Sequence, residues 1–198
     1  MKQSSSKILL NVLKSTSDAT GLPNRHYTDK KVFNKEKERL LFKNWSGIGF
    51  GKDVPATGDV APITFLGLPL LLVRDQTGKI RVFQNTCRHR GMLLVKKKSN
   101  IKGVIRCPYH SWCYGLNGML RATPHVGGPG INIHDNIVRA ELGLYEIRCH
   151  VWHDIIFVNI SGTAQPFEKV HVKLTNRWKE FDQPLHHSGR DSSIKFKL

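Results

Sequence analysis

From Trp45 onward, apolar residues fall in short runs broken by turn residues, the texture of an antiparallel β protein. Ile63 to Leu66 and Leu70 to Val73 flank Gly67-Leu68-Pro69. Asp75-Gln76-Thr77-Gly78 reads as a turn into a strand from Ile80 to Phe83. Val104-Ile105 leads into Cys107, and Trp112-Cys113-Tyr114 leads into the turn Gly115-Leu116-Asn117-Gly118. Gly127 to Gly130 reads as an irregular loop, and Leu144 to Cys149 and Ile155 to Asn159 close the β region. With no helical pattern between these runs, the pattern predicts an antiparallel sandwich or small barrel. No internal repeat is apparent.

The flanks differ. Residues 1–27 read as a loose arm with a short amphipathic helix, Lys7 to Lys14, ending at the breaker Gly21-Leu22-Pro23. Asp29 to Phe42 is rich in helix formers and predicts a helix with Thr28 as its cap. The tail from Ser161 is polar, holds Pro166 and Pro184, and predicts a helix around Val172 to Phe181. Ser193 to Leu198 alternates apolar and basic residues like the start of a strand. This gives three expected units: an arm and helix over 1–44, a β domain over 45–160, and a linker over 161–198 leading into a further, truncated unit.

Composition narrows the class. The chain has 198 residues, 39% of them hydrophobic, enough for a core without disulfide staples. Its longest apolar run, Phe65 to Val73, is strand-sized, well short of the roughly 18 residues of a membrane helix. The basic, Ser-rich start resembles a transit-type leader only weakly, and no secretory h-region is present, so the expected location is cytoplasmic. In that setting the four cysteines, 87, 107, 113 and 149, point to metal rather than disulfides. The net charge of +16 is uneven: residues 76–134 hold no Asp or Glu but ten Lys and Arg. Such a face attracts an acidic partner, a nucleic acid or an acidic electron-donor protein.

The chemistry concentrates in Cys87-Arg88-His89 and, after seventeen intervening residues, Cys107-Pro108-Tyr109-His110. Two thiolates and two imidazoles, one of each per loop, are the set that holds a [2Fe–2S] cluster with cysteines on one iron and histidines on the other. Neutral imidazoles in place of two thiolates raise the potential to roughly −150 to +300 mV, against about −400 mV for all-cysteine clusters of the plant type. Zinc is the rival. Zinc fingers, however, usually place two cysteines close together and then two histidines; here the two types alternate. Cys113 and Cys149 read as small buried hydrophobes.

Residues 81–125, RVFQNTCRHRGMLLV…GVIRCPYHSWCYGLNGMLRATPH, resemble the Rieske domain of ring-hydroxylating and related non-haem iron oxygenases. The similarity extends more weakly over about 27–160. It places the cluster ligands at Cys87, His89, Cys107 and His110. It also matches Asn85, Arg90-Gly91, Pro108-Tyr109 and Trp112, whereas the family's usual glycine after the second histidine is Ser111 here. The respiratory branch carries an extra cysteine in each loop. Met92 and Tyr109 stand at those positions, which favours the oxygenase or ferredoxin branch.

The resemblance implies a mainly β fold, a Rieske-type antiparallel β-sandwich with a cluster-binding subdomain preceded by an N-terminal helix. It implies the electron-transfer part of an oxygenase α subunit (an oxidoreductase), with Tyr109 and Trp112 packed around the cluster. Implied partners are an acidic ferredoxin or flavin reductase as donor and further copies in a trimer, with neither membrane nor nucleic acid. Implied substrates are an aromatic acid or a quaternary amine. The family's mononuclear iron, on two histidines and a carboxylate, has no matching helical spacing here. His150, His153 and His186-His187 read as surface or turn residues, so that iron is expected only in a catalytic domain outside this chain. The alternative is a stand-alone Rieske ferredoxin, which would not need the N-terminal helix or the tail.

Overall fold

The structure, a computed structural model, describes residues 9–181. Seven strands form one antiparallel sheet: β1 (Ser46–Phe50), β2 (Asp59–Phe65), β3 (Leu68–Arg74), β4 (Ile80–Gln84), β5 (Ser99–Asn100), β9 (Glu146–Trp152) and β10 (Ile155–Asn159). Their order is β1-β10-β9-β4-β3-β2-β5. A second, three-stranded sheet holds β6 (Val104–Arg106), β7 (Cys113–Gly115) and β8 (Leu120–Ala122) in that order. The expected mainly β, antiparallel fold is what the chain adopts.

Hairpin chemistry sets the register. Two-residue turns of type I′ hold both central residues at positive φ, and their twist matches that of the strands. Leu66 (φ 51°) and Gly67 (φ 88°) join β2 to β3 in this way, and His153 (46°) and Asp154 (65°) join β9 to β10. The apolar run Phe65 to Val73 is therefore folded back near its start, and most of it lies in β3.

The run Leu70 to Val73 is buried at every position, as in a strand covered on both faces. Side chains alternate between faces, and the two sets enter different cores. Leu70 and Leu72 join Ala61, Val82, Ile156 and Val158, so the sheet curls to bring β10 over β3. Leu71 and Val73 join Phe83, Cys87, Cys107, Trp112 and Tyr114, beneath the two cysteine loops. Each such buried side chain contributes roughly 1.5–3 kcal/mol. The three-stranded sheet and both loops lie between β4 and β9 in sequence, so they form an insertion seated on one face of the larger sheet.

The helical flank departs from a single helix over Asp29 to Phe42. A short turn, α1 (Arg25–Thr28), precedes α2 (Lys30–Glu36), and a π-helical stretch follows at Lys37–Leu41. The cap is Asp29, whose side chain accepts from the Lys31 N–H, rather than Thr28. Thr28 belongs to α1 and donates back to the Asn24 carbonyl. In the tail, α3 (Phe167–Val170) precedes the helix expected around Val172 to Phe181, which is seen as α4 (Val172–Arg177) and a 3-10 turn at Lys179–Phe181. Phe167 pins this tail in a cage of Trp45, His150, Phe157 and His171. Of the expected short helix at Lys7 to Lys14, a 3-10 turn at Asn11–Leu13 is seen. Pro184, His186-His187 and the alternating Ser193 to Leu198 lie outside the described residues.

Candidate metal centre

The first cysteine loop leaves β4 and the second joins β6 to β7. They share one backbone design. In each, the cysteine N–H donates to a carbonyl five residues on: Cys87 to Met92, Cys107 to Trp112. In each, the cysteine carbonyl accepts from the N–H four residues on: Gly91 to Cys87, Ser111 to Cys107. In each, that fourth residue has positive φ, 67° at Gly91 and 58° at Ser111. The pairing around the loops also matches, Thr86 with Leu93 and Arg106 with Cys113. This repeat is hidden in the sequence because histidine follows cysteine by two positions in one loop and three in the other.

The repeat brings the four side chains together in pairs. Cys87 and Cys107 are both buried in the same core, where Cys107 is near enough to bear on the Cys87 thiol. The His89 and His110 rings lie 4.9 Å apart at 68°. His89 is exposed at the rim and His110 is half-buried, its Nδ1 buried without a hydrogen-bond partner. Tyr109 lies against His110, ring centroids 3.7 Å apart, and Trp112 stacks on His89 at 4.8 Å and 8°. Among the described residues, no three His, Cys, Asp or Glu side chains are grouped to hold a single metal ion. The arrangement is two and two.

The electrostatics follow from burial. Burial pushes the Cys87 thiol up, against hydrogen bonds from Tyr114 and the His89 backbone that lower it. Partial desolvation, with His110 and Arg90 close by, holds the His89 imidazole below its ordinary value. This keeps it neutral, the form in which imidazole binds metal. Burial and the contact with Cys87 push the Tyr114 phenol well up. The Tyr114 hydroxyl accepts from the Arg88 N–H at 3.0 Å and lies 3.2 Å from Cys87 Sγ. Its own proton is thus available to the sulfur.

The surroundings brace the loops. The Asn85 side chain, 1% exposed, closes a two-way bond with the Val95 backbone, at 2.7 and 3.0 Å. The Arg88 guanidinium lies 3.6 Å from the Tyr145 ring centroid and donates to the Glu141 carbonyl, so it fixes the loop. Gly118 has φ +81°, and a Cβ there would stand 2.5 Å from the Phe83 ring. Only glycine lets that turn seat under the loops. Cys113 is buried and donates to the Ser111 carbonyl, while Cys149 sits on β9, pointing at the Ile80 carbonyl. His150 pairs with Glu168 on the tail and His153 forms the β9–β10 turn, so neither joins the site. Tyr114 was not singled out by sequence reasoning. Its only signal was an inward aromatic two residues beyond Trp112.

Two matching loops that present paired thiols and paired imidazoles on a curled antiparallel sheet define a class of iron–sulfur-type domain. A family model for the Rieske [2Fe–2S] domain matches residues 44–171, and the chain belongs to that family. It is 31% identical, over 144 residues, to the 2-aminobenzenesulfonate 2,3-dioxygenase subunit alpha of Alcaligenes sp, covering 72% of this chain and 36% of that protein. It is 28% identical to the carnitine monooxygenase oxygenase subunit of Escherichia coli (strain K12), covering 80% of this chain and 41% of that one. Naphthalene 1,2-dioxygenase from Rhodococcus sp. superposes with a TM-score of 0.72 at 26% identity, over 83% of this chain and 36% of that chain. The chain thus spans well under half the length of these relatives.

Proposed function

We propose that Cys87, His89, Cys107 and His110 hold a Rieske-type [2Fe–2S] cluster, and that the chain is the electron-transferring part of a Rieske non-haem iron oxygenase α subunit. The observation that carries this is the paired donor set, thiol beside thiol and imidazole beside imidazole, with the buried Nδ1 of His110 left without a partner. A buried ring nitrogen in that state calls for a ligand. Two donors for each of two irons fit this geometry better than four on one zinc.

A bound cluster of this kind takes up and releases one electron at a time. The chain's own residues prepare for that in distinct ways. The cysteines supply thiolates in a dry core and the histidines neutral imidazoles toward the rim. Tyr114 donates to the Cys87 sulfur, while Tyr109 packs against His110 and Trp112 against His89. Residues 45–160 make up the cluster domain in this reading, 1–44 an arm, and 161–198 a linker. The donor is an acidic ferredoxin or flavin reductase. Oxygen activation belongs to a mononuclear iron in a catalytic domain beyond the described residues, and the full assembly is a trimer. An aromatic acid or a quaternary amine is the substrate class, since relatives of both kinds match.

The test is direct. Protein purified without oxygen should contain two irons and two sulfides per chain and, once reduced, give the EPR spectrum of a Rieske centre. Colourless protein with one zinc per chain would sink the proposal. The Cys107→Ser variant should lose both iron and signal.

A further inference from the structure

Among the described residues, three buried side-chain nitrogens or oxygens lack a hydrogen-bond partner: His26 Nε2, His110 Nδ1 and Trp112 Nε1. Two of the three are at the candidate metal centre. The His110 nitrogen is absorbed by ligation. The indole N–H of Trp112 cannot ligate; it is a donor only. Trp112 is 6% exposed, and its backbone is held by the Cys107 N–H at 2.8 Å. Its ring lies 4.8 Å from that of His89 and nearly parallel to it, at 8°. The indole is thus immobile, dry and flush against a ligand imidazole.

We infer that Trp112 is a potential-setting residue, whose indole N–H donates a hydrogen bond to a sulfur of the bound cluster. This rests on the cluster reading above. Native folds seldom leave a buried donor unmatched, and the acceptors this site gains on loading are cluster sulfurs. One-electron reduction makes those sulfurs more negative, so a donor aimed at them stabilises the reduced form more than the oxidised. Trp112 therefore raises the midpoint potential, from the imidazole side of the site, as Tyr114 does from the thiolate side at Cys87.

The experiment is an EPR-monitored redox titration of the loaded chain, comparing wild type with Trp112→Phe. A second variant carries 3-benzothienylalanine at position 112, which keeps the bicyclic shape and the stacking on His89 but replaces N–H by sulfur. Both variants should keep the Rieske spectrum and titrate at a lower midpoint. Pulsed EPR of wild type with 15N-labelled indoles should show a weak third nitrogen coupling beside the two histidines, which Trp112→Phe abolishes. If the benzothienyl variant loads normally and its midpoint equals that of wild type, the inference is overturned while the cluster reading stands. If wild type itself gives no Rieske spectrum, both fall together.

Discussion

Ser111 occupies a position that glycine fills in the matching loop. At φ 58° its Cβ crowds the following carbonyl, while Gly91 at 67° carries no such cost. The left-handed penalty for a side chain is about 1–2 kcal/mol, and glycine's extra freedom when unfolded returns part of it. Ser111→Gly is therefore expected to stabilise the fold by roughly 0.5–1 kcal/mol, raising the melting temperature by about 1–4 °C for a chain of this size. Differential scanning calorimetry reads this directly; a lower melting temperature would show that the Ser111 hydroxyl contributes more than its backbone costs. The cysteine and histidine spacing singled out Cys87, His89, Cys107 and His110, and the structure pairs the two rings and buries the two thiols in one core. Tyr114 went unmarked because its contact with Cys87 bridges 27 positions and strands, and no local pattern announces it.

The turn from β3 to β4 shows what one buried carboxylate does for an element. Asp75 is 2% exposed. Burial alone would raise its pKa, but hydrogen bonds from the Thr77 and Arg81 side chains and from the Thr77 and Lys79 N–H groups prevail, holding it at about 2. A carboxylate depressed from 3.8 stabilises the fold above its unfolded pKa, and that contribution drains away as pH falls through the folded value. The shift corresponds to about 2 kcal/mol. Urea unfolding should therefore show stability falling between about pH 4 and pH 2, and Asp75→Asn should flatten that slope while costing about 2 kcal/mol at pH 7. An unchanged slope would assign the acid sensitivity to other groups. The turn itself was legible from Asp75-Gln76-Thr77-Gly78, as were β3, β4 and β10, because their apolar runs are bounded by strong turn residues. The helix over Asp29 to Phe42 was not. Its apolar stripe is too irregular to distinguish one helix from a turn, a capped helix and a π-helical stretch, and Asp29 proved the better cap because Thr28 already belonged to α1.

Across the whole molecule, the acid-free stretch divides into charges that build the fold and charges that face outward. Arg81 is taken up by Asp75 and Glu146, and Arg88 by Tyr145 and the Glu141 carbonyl. Lys96, Lys97 and Lys98 precede the two-residue edge strand β5, where lysines also discourage pairing with another chain. Lys98 already lies 3.9 Å from Asp53. Arg90 differs: it is exposed, and its charge reaches the exposed ring of His89, so it marks the rim an incoming donor must approach. A field of one sign speeds encounter with an oppositely charged partner by about 10–1,000-fold and is lost with salt. Reduction of the loaded chain by a reduced, acidic plant-type ferredoxin should therefore slow by at least about tenfold as ionic strength rises from 10 to 300 mM, when the screening length contracts from about 30 Å to under 10 Å. Stopped-flow absorbance reads this rate. Arg90→Glu should slow it more than Lys97→Glu, because electrostatic work at a docking rim falls off with distance from the site of transfer. Equal effects from both variants would make net charge, and not the rim, the steering element. A rate indifferent to salt would leave the basic face to the fold and to solubility alone.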